Sequence, residues 1–266
     1  MDIPDTTPRL KAPVLHVPIS AVVPVNSLTT NPTARQPADI QLCFRVADYF
    51  ASDLATKSIP TLKPQEWLTD YHMSLVISHI RTALQPKRTA LIQPCVVEAA
   101  LCSRPIWHET FRDVRAQSAS QVVLFLNNQG NVRDFNAAKA YSGDGSHWSI
   151  FTLSLETGVA CHWDSQPHDQ TDLKIRKLHE SLTAVLSVIR GQKYSEVQHK
   201  TVFLQTDGYN CGIYAWMHAM KFICDTENIC LPLKSNVVEI WRQHLTNCIG
   251  IVNMVVNRRK RVRTNS

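Results

Sequence analysis

At 266 residues, 44% hydrophobic and 19% charged, the chain is long enough to bury one substantial core. Its formal charge of +6 looks like a nucleic-acid signature until it is located: Arg258, Arg259, Lys260, Arg261 and Arg263 stand together, and the remainder balances 23 basic against 22 acidic groups. The longest apolar stretches, 122–126 and 248–256 with Asn253 inside it, fall far short of a membrane span.

The first 37 residues hold seven of the fourteen prolines and are expected to be a disordered leader. Its apolar patches, Val14-Leu15-His16-Val17 and Ala21-Val22-Val23, read as proline-broken filler rather than as strands offered to another sheet. One domain is expected over 38–256 and a basic tail over 257–266. Residues 67–84 carry Leu68, Leu75, Val76, Ile80 and Leu84 at helical spacing and stop before Pro86. Residues 121–126 read as a buried strand that leads into a polar loop, 127–146, lying over the site.

Residues 148–155 and 159–163 flank Glu156-Thr157-Gly158 and predict a hairpin whose glycine takes positive φ. A turn centred between Glu156 and Thr157 sets Ser149 opposite Asp164, which puts His147 on the face of Asp164 as its diagonal neighbour. Residues 171–190, with Leu178, Leu182, Val185, Leu186 and Ile189, predict an amphipathic helix closed by Gly191. Residues 201–205 read as a strand, 211–224 as a helix, and about 235–248 as a further helix.

The chemistry gathers in Gln205-Thr206-Asp207-Gly208-Tyr209-Asn210-Cys211-Gly212, where a glutamine stands six residues before a cysteine that opens an apolar helix. A thiol becomes a good nucleophile beside an imidazolium or at a helix N-terminus. His147 would take the thiol proton and return it to a leaving amine, while Asp164 orients the imidazole. Gln205 can donate its side-chain N–H to a tetrahedral oxyanion together with the Cys211 backbone, one such donor being worth about 3 kcal/mol. Gly208 permits the tight approach to the helix, and Gly212 leaves room for substrate backbone beside the thiol.

Other pairings fail on geometry. His218 lies seven positions from Cys211, about 10 Å along a helix, too far for direct proton transfer. Cys161 and His162 are adjacent in a strand and point to opposite faces. His72 with His79, or His162 and His168 with Cys161, lack metal-ligand spacing, so neither a metal nor a cofactor is expected. The eight cysteines form no Cys-x-x-Cys pair and no charged-then-apolar leader precedes them, so reduced thiols in a soluble nuclear or cytosolic protein are expected, with the cluster 258–263 as a nuclear address.

His147-Trp148, Asp164, Gln205 and Cys211-Gly212, in this order, resemble the Ulp/SENP family of cysteine proteases, which act on ubiquitin-like modifiers. Trp67-Leu68-Thr69-Asp70 resembles that family's upstream Trp-Leu-x-Asp element. The resemblance implies an α+β, papain-like fold, with the nucleophile helix on a mostly antiparallel sheet. It also implies Cys211 as nucleophile, His147 as base, Asp164 as orienter and Gln205 as oxyanion donor, with Trp67, Asp70, Trp148 and Gly212 at the substrate and Trp148 and Trp67 lining a narrow tunnel for a Gly-Gly tail. The implied partner is SUMO, a Nedd-type modifier or ubiquitin, and the long connection before His147 resembles the deneddylase branch. The implied reaction is precursor processing or deconjugation. Two other readings fit less well: an acetyltransferase on a related fold, and a binding module that does not cut.

Overall fold

The computed structural model describes residues 15–16, 59–97, 119–127, 147–166, 180, 196–227, 229–230 and 238–264. Its centre is a five-stranded sheet of β2 (Thr89–Ile92), β3 (Gln121–Asn127), β4 (Trp148–Ser154), β5 (Ala160–Trp163) and β6 (Gln198–Lys200), in that spatial order. The two inner pairings are antiparallel and the two outer ones parallel, so the sheet is mixed. Helices among the described residues accompany it, with α1 (Asp70–Leu84), α2 (Cys211–Glu227) and α3 (Val238–Thr264) the long ones.

The inner strands are apolar at nearly every position because they are covered on both faces. Alternate residues serve two cores. Val123, Phe125, Trp148, Ile150 and Trp163 join the side chains of the helices, whereas Val122, Leu124, Phe151, Leu153 and Ala160 pack in a second cluster with Ala90 and Ile92. The helical core is closed by an edge-to-face contact of Trp216 on α2 with Trp241 on α3, centroids 4.4 Å apart. A buried His79–His244 contact, Nε2 to Nε2 at 2.9 Å, joins α1 to α3, and burial holds both rings neutral.

The hairpin forms in the expected register. Ile150 faces Trp163 and Leu153 faces Ala160, so one pair further on Ser149 stands opposite Asp164. Gly158 has φ 70° and donates its N–H to the Ser154 carbonyl, a conformation that a side chain would strain. Helix α1 starts at Asp70, three residues later than the spacing suggested, because Thr69 is extended and its N–H donates to Nδ1 of His72. The predicted loop 128–146 lies outside the described residues, as does the predicted helix 171–190 apart from residue 180.

Three expectations are corrected. The strand before the nucleophile is Gln198–Lys200, not 201–205: β5 is four residues long, and beyond Trp163 the ladder closes with the Asp164 N–H donating to the Lys200 carbonyl. The chain then runs free of the sheet, leaving Val202 and Leu204 43% and 57% exposed around buried Phe203. The leader is not wholly unstructured, since Leu15–His16 (β1) pairs in parallel with Ile229–Cys230 (β7). Helix α3 runs 27 residues to Thr264 and takes most of the expected basic tail into its last turns.

Asn253 interrupts the apolar run of α3 for a structural reason. Its Oδ1 accepts the Ile59 N–H and its Nδ2 donates to the Ile59 carbonyl, both at 2.8 Å, which ties that segment to the helix. Asn253→Ala should leave both Ile59 groups without these partners and cost about 1–3 kcal/mol. Thermal melting would read this as a loss of several degrees.

Candidate active site

Cys211 is the first residue of α2, and the loop before it is held by its own side chains. Asp207 Oδ1 accepts the backbone N–H of Tyr209 at 3.0 Å and of Asn210 at 2.8 Å, and Oδ2 accepts Nδ2 of Asn210 at 3.0 Å. Burial of this carboxyl works upward on its pKa, but the hydrogen bonds from Tyr209, Asn210 and Gln205 outweigh it and hold Asp207 below the usual carboxylate range. The Asn210 carbonyl then accepts the N–H of Ile213 and Tyr214, which starts the helix.

A buried cation fixes this loop to the rest of the domain. Arg242 on α3 donates to Oδ1 of Asn210 at 3.1 Å, to the Lys63 carbonyl at 2.8 Å and to the Glu66 carbonyl, and its guanidinium lies 5.2 Å from the centre of the Tyr209 ring. One side chain therefore holds the approach to Cys211 and the segment leading to Trp67.

His147 enters from the other side, immediately before β4. Its Nε2 donates to Asp164 Oδ1 at 2.6 Å, and both side chains are buried. The same carboxylate oxygen accepts the Gln166 N–H at 2.8 Å. With Nε2 committed to the acid, Nδ1 is the nitrogen left for the thiol of Cys211, whose interaction with the ring favours the protonated imidazole. Burial works against protonating His147, but the hydrogen bonds with Asp164 and Cys211 and their negative charge prevail, raising its pKa to about 9. At neutral pH this imidazole therefore carries the proton that a leaving amine requires.

Gln205 lies beside this group with both ends of its amide engaged. Oε1 accepts the Ser165 hydroxyl at 2.9 Å, and Nε2 donates to the Asp207 carbonyl at 2.6 Å while standing 3.4 Å from Asp207 Oδ1. An oxyanion would be met by the N–H of Cys211 at the head of α2, and by the Gln205 amide once its N–H leaves the Asp207 carboxylate.

The four residues expected at the substrate are distributed differently. Trp67 is half-buried, and Asp70 is buried in the first turn of α1. Trp148 has 0% of its surface exposed, and its indole N–H donates to the Leu68 carbonyl at 2.7 Å, so it braces the Trp67-Leu68 element. A Cβ on Gly212 would come within 2.7 Å of Leu68 Cδ1 and 2.9 Å of its Cγ, so this glycine makes room for Leu68. His218 feels the charge of Asp164 but is engaged elsewhere. Its Nε2 accepts the Phe203 N–H at 3.2 Å, and burial, against the charge of Asp164, lowers its pKa to about 4.

Asp207, Asn210 and Arg242 were not singled out in the sequence. Asp and Asn immediately before a helix are a legible capping signal. Arg242 carried no signal, because its acceptors lie 32 to 179 residues away.

Residues 132–248 match the sequence model of the Ulp1 protease family, C-terminal catalytic domain, a stretch that includes His147, Asp164, Gln205 and Cys211. The fold is similar to that of the C-terminal Ulp1 protease domain in complex with Smt3, the yeast ortholog of SUMO. That likeness has 13% identity and a TM-score of 0.55, covering 85% of this chain and 99% of that one. It is also similar to the effector XopD of Xanthomonas campestris bound to ubiquitin, at 16% identity and a TM-score of 0.51, covering 75% and 97%. No curated protein matches the chain.

Two outcomes follow from the geometry. Activity should fall on the alkaline side with a midpoint near pH 9, where His147 loses its proton, and Asp164→Asn should move that limb to lower pH in a kcat/KM profile. A pKa raised from 6.5 to about 9 on folding also stabilises the fold fully below pH 6.5, and melting temperatures should show this contribution fading as pH rises through 9. Gly212→Ala should displace Leu68 and cost about 1–3 kcal/mol, measurable by denaturant unfolding.

Proposed function

We propose that this chain, whose residues 132–248 match the Ulp1 protease family, is a cysteine peptidase that cleaves after the C-terminal Gly-Gly of a ubiquitin-like modifier. The observation that carries the reading is the buried line from Cys211 through His147 to Asp164. The Cys211 sulfur attacks the scissile carbonyl carbon, and the thiol proton is held on His147 Nδ1. The tetrahedral oxyanion faces the N–H of Cys211 and the amide of Gln205. Collapse breaks the C–N bond, His147 gives its proton to the departing nitrogen, and an acyl thioester remains on Cys211. Water then adds to the thioester with His147 taking its proton, and the carboxylate leaves as the thiol re-forms.

A modifier as substrate is supported by the fold's likeness to a domain complexed with a SUMO ortholog and to an effector bound to ubiquitin. SUMO is the first choice and a Nedd-type modifier the second. Trp67, half-buried beside Leu68, is the aromatic surface we assign to the Gly-Gly tail, because two glycines pass where any side chain would collide. Deconjugation and precursor processing both present that tail to the same thiol. We assign the protease to residues 38–256 and nuclear entry to the cations of 258–263, which a reporter carrying residues 257–266 would test by its location.

Ubiquitin, SUMO and Nedd-type modifiers bearing a C-terminal electrophile test the activity directly. One modifier should attach to the intact protein and not to Cys211→Ala, which should melt at the same temperature and cleave nothing. Attachment to Cys211→Ala, or to neither form by any modifier, would overturn the reading.

A further inference from the structure

We propose that His162 is a positioning residue for this site, bracing the second oxygen of the Asp164 carboxylate so that the first stays aimed at His147. The inference rests on the peptidase reading above. His162 precedes Asp164 by two residues on β5, so their side chains leave the same face of the sheet. Its ring is 1% exposed. Nε2 lies 2.9 Å from the Ser149 hydroxyl and 3.8 Å from Asp164 Oδ2. The first is a hydrogen bond and the second an electrostatic contact, strengthened by burial.

The other ring nitrogen reaches outward. His162 Nδ1 lies 3.2 Å from Nδ1 of His199 on β6, which is exposed, and the two rings meet edge-on. If Nε2–H donates to Ser149, then Nδ1 accepts from His199, so one tautomer serves both hydrogen bonds and leaves the positive end of that N–H dipole 3.8 Å from the carboxylate oxygen. The ionisable groups around Asp164 are then His147 before β4, His162 on its own strand, His199 on β6, and Cys211 and neutral His218 on α2, with Lys200 stacked 4.9 Å over Trp163. A side chain that merely filled space between β4 and β6 would need neither nitrogen.

Three substitutions separate these roles. His162→Phe keeps a ring of similar size and removes the donor, whereas His162→Gln restores an N–H near Nε2. In His162→Phe, kcat should fall about tenfold, the scale set by lost outer-shell partners, with KM little changed. The titration midpoint of the His147 ring, followed by 15N-imidazole NMR, should move to lower pH, and His162→Gln should recover most of both effects. An unchanged His147 titration in His162→Phe, or a Gln variant no better than the Phe variant, overturns the proposal. Should His162→Phe not fold, Ser149→Ala, which frees the ring, must shift the same midpoint in the same direction by a smaller amount, and no shift overturns it. The ring titration needs no substrate, so a protein that captures no modifier refutes the function while His162 is still decided.

Discussion

Everything at the site depends on the pairing of β4 with β5. A slip of one residue would send His147 and Asp164 to opposite faces of the sheet, since strand side chains alternate. Burial alone does not choose that register, because both strands are apolar on both faces and would bury well in either setting. The choice falls to directional contacts. Gly158 closes the turn at positive φ, the Trp163 indole donates to the Thr152 hydroxyl at 2.9 Å, and His162 meets Ser149. Polar residues inside an otherwise apolar hairpin are thus what aligns the imidazole with its carboxylate.

The thiol arrives on a separate element and must be brought to this dyad within a fraction of an ångström. Two tethers do so. Arg242 binds the loop before Cys211 and the 63–66 segment to α3, and Trp148, next in sequence to His147, holds the Leu68 carbonyl. Gly212 lets Leu68 lie against the first turn of α2. The base, the nucleophile helix and the Trp67-Leu68 element consequently share one set of contacts, so a change in any of them reaches the others.

The pull between burial and pairing gives each ionisable group its state. Burial leaves His79 and His244 neutral, and at His218 it outweighs the charge of Asp164. Burial with Asp164 and Cys211 leaves His147 protonated. The difference lies in the partners, which is why His72, His79, His218 and His244, all buried, have lowered pKa values and His147 a raised one.

By itself the sequence determined whatever short-range periodicity controls: α1 and α2, the hairpin and its register, and the order His147, Asp164, Gln205, Cys211, whose chemistry is local to each side chain. Its errors arose where partners are distant. The apolar run 201–205 looked like a strand, but β5 had no length left to pair with it, and the run of arginines looked like a tail although α3 carries it. Trp148 and Gly212 meet Leu68, 80 and 144 positions away, contacts that their neighbours in sequence do not announce. Only the tertiary structure could decide these roles, and those of Arg242, Asn253 and His162, because a hydrogen bond or a van der Waals contact depends on separation in space, which for such pairs the folded core alone defines.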